Sequence, residues 1–380
     1  MRYLLLFVCL LSAAACVDPR GAGSVTKRAD AGTGAVTDSV FGDLVERLSE
    51  PSGYFDTDNL ISNETSYLHV MGKLQEMEVS GGAYIGVGPD QNFSYIAQVR
   101  PSIAFIIDIR RDNLLQQLMF KSLFELSGSR IEYLCLLFAR PVPSNAAAWG
   151  ERTIQELVDY IDGTAVSPNA LEIADRVARH AESFGLPLSQ IDLETIRGFH
   201  LAFVREGMGL RFRSHGRMPR PYYPTYRQLL LETDLDGVRV SYLASEERFQ
   251  IVKSLQERNR LIPVVGDLGG GHALAAIGEV IEERGEYVSA FYTSNVEFYL
   301  MRGAAFERYV ANVQRLPIKP NSVIIRSYFG RNFGYAHPQA VPGYYSVQLL
   351  QTIESFVTDV QAGGYRSYLD LVTRNAIELN

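Results

Sequence analysis

Two glycines and one carboxylate have a spacing that nucleotide-binding sites use. Gly86 and Gly88 follow a short apolar segment, and Asp108 ends the next apolar segment, 20 positions after Gly88. A backbone without a Cβ turns sharply and approaches a ligand closely. An acidic side chain at the end of the second strand accepts hydrogen bonds from ribose hydroxyls. Because the third glycine of the dinucleotide fingerprint is missing, the prediction of a nucleotide site depends on the spacing to Asp108.

Further polar side chains cluster around the ends of the predicted strands. They are Asp90, Gln91, Asn92, Arg110, Asp267, Ser294, Asn295, Glu297 and Arg326, with Asn63 and Glu64 just before the first strand. Parallel strands end at one edge of a sheet, so these side chains are expected to form a polar pocket. The alternative is that they are turn and cap residues, since Asp90, Ser294 and Asn295 are good helix N-caps. Their occurrence at five strand ends favours the pocket.

The elements that position these residues are strands alternating with helices. Apolar runs predict strands at 83–85, 103–107, 238–243, 261–265, 287–292 and 323–327, and the tail from Ser346 is predicted to be helical. Alternation of this kind predicts an α/β fold with a doubly wound, mostly parallel Rossmann-like sheet. The helical block 113–206 is predicted as an insertion between the second and third strands. A single domain is expected over residues 41–380.

The N-terminal segment predicts export. Residues 1–15 combine one basic residue, an apolar run and a series of small residues, followed by Cys16. This pattern is typical of a secretory signal peptide, and it is too short for a permanent membrane span. Small residues before a cysteine resemble the lipobox of bacterial lipoproteins, which implies that Cys16 is lipidated and anchors the protein to an outer or inner membrane. Ordinary cleavage after Ala15 is the alternative. Residues 16–40 are predicted to be a flexible tether.

Composition and residue spacing exclude several function classes. The chain has 36 Lys and Arg against 43 Asp and Glu, a net charge of −7 that provides no general attraction to nucleic acid. Its six histidines show no pairing at ligand spacing, so no dedicated metal site is expected. The segment 269–272 (GGGH) could form an oxyanion loop, but without a nucleophile elbow a strand-to-helix turn is favoured. Cys135 lies in an apolar run and is predicted to be a buried thiol.

One basic segment departs from the acidic average of the chain. Between residues 205 and 227 arginines and tyrosines concentrate, among them Arg211, Arg213, Arg217 and Arg220. Arginine with tyrosine suits phosphate, carboxylate or a lipid headgroup layer. The alternative is a solvated connector whose arginines pair with acidic residues elsewhere.

The glycine loop and the carboxylate resemble those of class I S-adenosylmethionine-dependent methyltransferases. In that family the first strand ends in a glycine-rich loop and the second in an acidic residue. The resemblance implies that Gly86, Gly88 and Asp90 form the cofactor loop and that Asp108 binds ribose. It further implies that Asp267 contacts the adenine or the reacting end, and that Asn63 and Glu64 fold over the mouth of the site.

Several segments also resemble a family of uncharacterised bacterial lipoproteins with such a core. They are SNETSYLHVMGKL, GGAYIGVGPDQNFSYIA, IAFIIDIRR, VVGDLGG and FYTSNVEFYL, and the resemblance covers roughly residues 55–345. It implies a fold but no established activity.

Two functional hypotheses follow from these observations. In the first, a membrane-tethered exported domain binds S-adenosylmethionine or another nucleotide-like ligand in a methyltransferase-like pocket, with or without catalysis. In the second, the same fold is a non-catalytic envelope lipoprotein that binds a partner or an anionic ligand or lipid through the Arg/Tyr segment. The polar strand ends favour a functional pocket, and export away from the cytoplasmic S-adenosylmethionine pool favours the second hypothesis.

Overall fold

A computed structural model describes residues 36–215, 218 and 220–379, except the side chain of Arg331. The predicted signal peptide 1–15, the lipidation site Cys16, most of the tether and Arg217 lie outside the described residues. Residues 38–40, predicted as the end of the tether, belong instead to a helix that begins at Asp38, and the Val36 amide donates to the Arg258 carbonyl.

The core is one six-stranded sheet. Its strands are β1 (Ala83–Gly86), β2 (Ile103–Asp108), β3 (Leu261–Val265), β4 (Val288–Ser294), β5 (Ile318–Tyr328) and β6 (Val347–Thr352). The strand order is β3-β2-β1-β4-β5-β6, with β1 to β5 parallel and β6 antiparallel to β5. Nearly every residue of β1, β2 and β3 is buried, as expected of strands covered on both faces. The predicted α/β class with a mostly parallel sheet is confirmed.

Helices connect the strands and cover the sheet. They are α1 (Asp38–Leu48), α2 (Met71–Glu76), α3 (Gln91–Val99), α4 (Arg111–Glu125), α5 (Arg130–Leu137), α6 (Ile154–Gly163), α7 (Ala170–His180), α8 (Gln190–Glu206), α9 (Tyr226–Leu230), α10 (Glu246–Glu257), α11 (Ala273–Glu283), α12 (Val296–Leu300), α13 (Ala305–Val313), α14 (Ile353–Gln361) and α15 (Tyr368–Thr373). Helix α10 contacts both α3 and α4, and helix α13 contacts both α11 and α14. The chain between β2 and β3 contains α4 to α10.

Two predictions of secondary structure are wrong, one of a strand and one of a helix. Residues 238–243 form no strand, because the Val238 amide donates to Asp234 and the Tyr242 amide donates to the Ser94 hydroxyl rather than to a neighbouring strand. The tail after Ser346 begins with strand β6 and becomes helical only from Ile353. Short apolar runs of this kind fit a strand or a buried helix equally well.

The strand order reverses between β1 and β4. From β1 the chain proceeds through β2 to β3 on one side, and β4, β5 and β6 continue on the other side. In open α/β sheets, ligands bind beyond the carboxyl ends of the strands at such a reversal. The described residues belong to one compact unit, and none of their helices is long and apolar enough to cross a membrane.

A buried ion pair ties β5 to α12. Arg326 on β5 donates to both carboxylate oxygens of Glu297, over 2.5 and 3.1 Å, and its Nη1 donates to Gln351 on β6. Tyr309 on α13 also donates to Glu297. The two charged side chains are 2% and 1% exposed. Burial of two charges is tolerated only when each keeps its partner.

Loss of Arg326 is therefore expected to destabilise the fold. Arg326→Met leaves the Glu297 carboxylate buried without its cation and lowers the free energy of unfolding by about 3–5 kcal/mol in urea titrations. Glu247→Ala, which removes the partner of exposed Arg100, is the control and costs less than about 1 kcal/mol. Equal effects of the two substitutions would contradict the structural role of the Glu297–Arg326 pair.

Candidate functional site

A cleft of about 730 Å³ lies at the carboxyl ends of β1, β2, β3 and β4. Its inner surface contains Gly88 after β1, Asp108 at the end of β2, Asp267 after β3, and Ser294 and Asn295 at the end of β4. Residues of the segments 54–59 and 212–223 also line it. The volume is that of a small-molecule site. The cleft therefore brings together the glycine loop and carboxylates that the sequence placed at one edge of the sheet.

Gly88 gives the β1 loop its conformation. Its φ of +87° is strained for any residue with a side chain. Its carbonyl accepts hydrogen bonds from Asn113 Nδ2 and Gln117 Nε2 of α4, at 2.9 and 3.1 Å. Two buried amides thus hold the loop in place, and the loop backbone borders the cleft.

Asp108 lines the cleft and is also paired with an arginine. Its Oδ1 accepts from the backbone amide and Nε of Arg110, and its Oδ2 accepts from Arg110 Nη2 at 3.0 Å. A carboxylate offers about four acceptor positions, so one position on Oδ2 has no hydrogen bond from Arg110. Arg110 Nη1 donates to the carbonyls of Thr57 and Asp58. Arg110, predicted to line the pocket, instead joins Asp108 to the segment that borders it.

Asp267 lies across the cleft from β1, in the turn after β3. Its Oδ1 accepts from the Gly269 amide at 2.9 Å. The following turn leads into α11, where the Glu50 carboxylate accepts from the backbone amides of Asp267, His272 and Ala273. The protein's own carboxylate therefore occupies the N-terminus of α11. The segment 269–272 is a strand-to-helix turn in this structure.

Glu64 lies at the inner end of the cleft rather than over its mouth. The side chain is 1% exposed and lines the cleft. Its Oε2 accepts from Tyr292 and Gln348, at 2.6 and 3.2 Å, and its Oε1 accepts from Ser294. Burial raises the pKa of the Glu64 carboxyl, and the hydrogen bonds from these three groups and from the Ser327 hydroxyl only partly oppose the shift. The position that the methyltransferase resemblance implied for Glu64 is therefore wrong.

Ser294 and Gln91 complete the inner end of the cleft. Ser294 has a φ of +52°, an uncommon conformation for a residue other than glycine, and its hydroxyl bonds to Glu64. Gln91 Nε2 donates to the Tyr292 hydroxyl at 3.2 Å, whereas its buried Oε1 has no hydrogen-bond partner within the protein. The remaining predicted residues of the rim, Asn63 and Asn295, are half-buried and line the cleft.

Gly86 and Asn92 serve packing, and neither lines the cleft. A Cβ on Gly86 would lie 2.0 Å from Asn92 Oδ1. Asn92 in turn accepts from the Tyr84 hydroxyl and donates to the carbonyls of Val87 and Pro89. Glycine is required at position 86 because the Asn92 side chain occupies the space. The predictions that Gly86 binds cofactor and that Asn92 lines the pocket are corrected accordingly.

Asp90 is buried behind the glycine loop. It is 3% exposed, and its Oδ2 accepts from the hydroxyls of Tyr226 and Tyr242, at 2.6 and 3.2 Å. Burial raises the pKa of Asp90 to about 6 against the hydrogen bonds from the two tyrosines. Its predicted cofactor-binding role is not available, because the carboxyl faces the protein interior and does not line the cleft.

Other predicted polar residues bond within the protein. Glu297 and Arg326 form the buried pair of β5 and α12 and do not line the cleft. In the basic segment, Arg211 donates to the Tyr223 carbonyl and Arg213 pairs with Glu206. Arg220 is exposed, donates to the Tyr222 hydroxyl, and lines the cleft.

Aromatic side chains form much of the cleft wall, and of these the sequence pointed only to Tyr223, in the Arg/Tyr segment. They are Tyr54, Phe55, Phe212, Tyr223, Tyr299, Phe329 and Tyr345. Phe55 and Tyr299 meet edge to face with ring centroids 5.1 Å apart. No spacing pattern in the sequence distinguishes these rings from core aromatics. Among the described residues, no group of three or more His, Cys, Asp or Glu side chains is arranged to hold a metal ion.

Comparison with known families matches most of the chain. A family model described as "Domain of unknown function (DUF7790)" matches residues 60–159 and 217–378, well over half of the sequence. The matched segments include all six strands and the residues Glu64, Gly88, Asp108, Asp267 and Ser294. A search of curated proteins finds no match.

Asp90 makes the stability of the fold depend on pH. Because its native pKa of about 6 is above the usual 3.8, protonation favours the folded state. Its contribution is fully present below about pH 4 and is lost as the pH rises to about 6, a change of roughly 3 kcal/mol. Asp90→Asn keeps an acceptor for Tyr226 and removes this titration. In urea titrations at pH 4, 5, 6 and 7, the variant is expected to become more stable relative to wild type as pH rises.

The control for this prediction is Asp192→Asn. Hydrogen bonding to Arg111 lowers the pKa of Asp192 to about 2, so its titration lies below the pH 4–6 window. This variant should retain the wild-type slope between pH 4 and 6. If the Asp90→Asn variant shows the same change of unfolding free energy with pH as the wild type, the pH dependence does not come from Asp90.

Proposed function

The chain belongs to the DUF7790 family, and for this member we propose that the cleft binds a small nucleoside-like ligand, with S-adenosylmethionine as the first candidate. The main support for this proposal is that Gly88, Asp108 and Asp267 line the same cleft, at the point where the strand order reverses between β1 and β4. The proposal concerns binding. Methyl transfer, the reaction that the methyltransferase resemblance implies, requires in addition an acceptor that enters the same cleft.

The sheet supports a Rossmann-like assignment for this fold. Its strand order is the usual order of dinucleotide-binding sheets, whose ligands lie at the point where the order reverses. The antiparallel direction of β6 departs from that pattern. However, β5 separates β6 from β4, the nearest of the four strands whose ends form the cleft. In this assignment the helices α4 to α8 form an insertion between β2 and β3.

Each part of the cleft suits one part of a nucleoside. The Gly88 loop allows close approach of the ligand to the backbone. The remaining acceptor position on Asp108 Oδ2 accepts from a ribose hydroxyl, while Arg110 holds the carboxylate in a fixed orientation. The aromatic walls provide flat apolar surfaces for a base.

The second hypothesis, binding of an anionic ligand or lipid through the Arg/Tyr segment, has weaker support. Arg211 and Arg213 are engaged in bonds within the protein, and Arg220 alone among the described arginines of that segment lines the cleft. We therefore place nucleoside binding first.

The nucleoside proposal predicts a dependence on ribose hydroxyls. Calorimetry should detect binding of adenosine and S-adenosylmethionine to the wild-type protein, and weaker binding of 2′,3′-dideoxyadenosine. Asp108→Asn removes the negative charge of the carboxylate and replaces one of its two oxygens with an amide nitrogen. The affinity for adenosine is therefore expected to fall by about tenfold, as for the loss of a charge-assisted hydrogen bond. The affinity for 2′,3′-dideoxyadenosine should not change in this variant.

Two outcomes oppose the nucleoside proposal. If calorimetry detects no heat of binding with adenosine, S-adenosylmethionine or S-adenosylhomocysteine, the nucleoside proposal is wrong. If Asp108→Asn loses affinity equally for adenosine and for its dideoxy analogue, the role assigned to Asp108 is wrong. Glu247→Asn, a substitution of an exposed carboxylate that does not line the cleft, serves as the control.

We also propose that the protein is exported and anchored in the cell envelope through lipidated Cys16. In a bacterial host, the wild-type chain should incorporate labelled fatty acid and fractionate with membranes, and Cys16→Ser should do neither because the acylated sulfur is lost. Cys135→Ser, at a buried thiol, is the control and should behave as wild type. Labelling that persists in Cys16→Ser would contradict the anchor.

A further inference from the structure

The charge of the cleft is predominantly negative. Among the described residues, four acidic side chains line it, namely Asp56, Glu64, Asp108 and Asp267, against one basic side chain, Arg220. Arg110, which does not line the cleft, balances the negative charge of Asp108 through a salt bridge. A cleft of one predominant sign attracts ligands of the opposite sign and disfavours ligands of its own. The lining is therefore better suited to a cationic ligand than to an anionic one.

Glu64 and Gln91 present two side-chain oxygens at the inner end of the cleft. Both side chains bond to the Tyr292 hydroxyl, which donates to Glu64 Oε2 at 2.6 Å and accepts from Gln91 Nε2 at 3.2 Å. Glu64 Oε2 also accepts from Gln348 and Oε1 from Ser294, and the Ser327 hydroxyl is a further donor to this carboxylate. Gln91 is 6% exposed, lines the cleft, and its Oε1 has no partner in the protein.

Gln91 Oε1 requires a hydrogen-bond donor, and the Glu64 carboxylate requires a compensating positive charge. A buried acceptor without a partner is costly, and a buried carboxylate is costly unless an opposite charge compensates it. The donors around Glu64 are all neutral, and they are Ser294, Ser327, Tyr292 and Gln348. No lysine or arginine lines the inner end of the cleft among the described residues.

We propose that the ligand carries a protonated amine that binds between the Glu64 carboxylate and Gln91 Oε1. An ammonium group has three donors and no acceptor, which matches two acceptor oxygens and a negative charge. The inference rests on the proposed function, because it specifies which nucleoside-like ligands the same cleft prefers. Glu64 selects ligands by charge, and Asp108 selects them by their ribose hydroxyls.

The test compares two nucleosides that differ only at the 5′ position. Calorimetry at pH 7 with adenosine and 5′-amino-5′-deoxyadenosine is performed on the wild-type protein and on Glu64→Gln. The wild type is expected to bind the amine at least about tenfold more tightly than adenosine, because a charge-assisted hydrogen bond replaces a neutral one. Glu64→Gln should lose this preference, so that the ratio of the two affinities falls to about one.

Glu64→Gln is expected to fold, because the Ser294 hydroxyl can rotate to accept from the new amide. A thermal unfolding curve checks this directly. The control is Glu232→Gln, since burial also raises the pKa of Glu232, which accepts from Tyr344 and does not line the cleft. This control should retain the wild-type preference for the amine.

Each result of the test is decisive. Equal binding of the two nucleosides to the wild type, or a preference that persists in Glu64→Gln, would overturn the amine site and leave the nucleoside proposal standing. Binding of neither compound would overturn both proposals. A preference lost equally in Glu232→Gln would assign the effect to general electrostatics and overturn the specific role of Glu64.

Discussion

Buried polar groups at the carboxyl edge of the sheet must find hydrogen-bond partners, and this constraint organises the centre of the molecule. Where the protein supplies every partner, as for Asp90 or the Glu297–Arg326 pair, a polar side chain contributes to the fold alone. Where the protein leaves an acceptor open beside a cavity, as for Gln91, the group remains available to a ligand. Both kinds occur within a few residues of each other in this chain.

The same constraint explains how the cleft is kept in shape. Asn113 and Gln117 hold the Gly88 carbonyl, and Arg110 links the Asp108 carboxylate to the carbonyls of Thr57 and Asp58. These contacts come from α4, from the end of β2, and from the segment that covers the cleft. Binding groups fixed in this way lose little conformational entropy when a ligand binds, which favours affinity.

The sequence predicted the α/β class and the loop–carboxylate spacing because both depend on local patterns. Continuous apolar runs identify β1, β2 and β3, which are buried on both faces, and Gly88 and Asp108 occur at fixed distances from them. The burial of Glu64 could not be predicted, because its partners Tyr292 and Gln348 are 228 and 284 positions away in the chain. The different roles of the two glycines could not be predicted either, because both are the same residue type. Gly86 makes room for the Asn92 side chain, whereas Gly88 borders the cleft.

The nucleoside site can be tested by a crystal structure of the protein grown with saturating adenosine. Electron density for the nucleoside is expected in the cleft at the β1/β4 reversal, with a ribose hydroxyl about 2.5–3.0 Å from Asp108 Oδ2 and the base against the aromatic wall. Density for the nucleoside elsewhere on the protein, or a saturated crystal whose cleft contains no nucleoside, would contradict it.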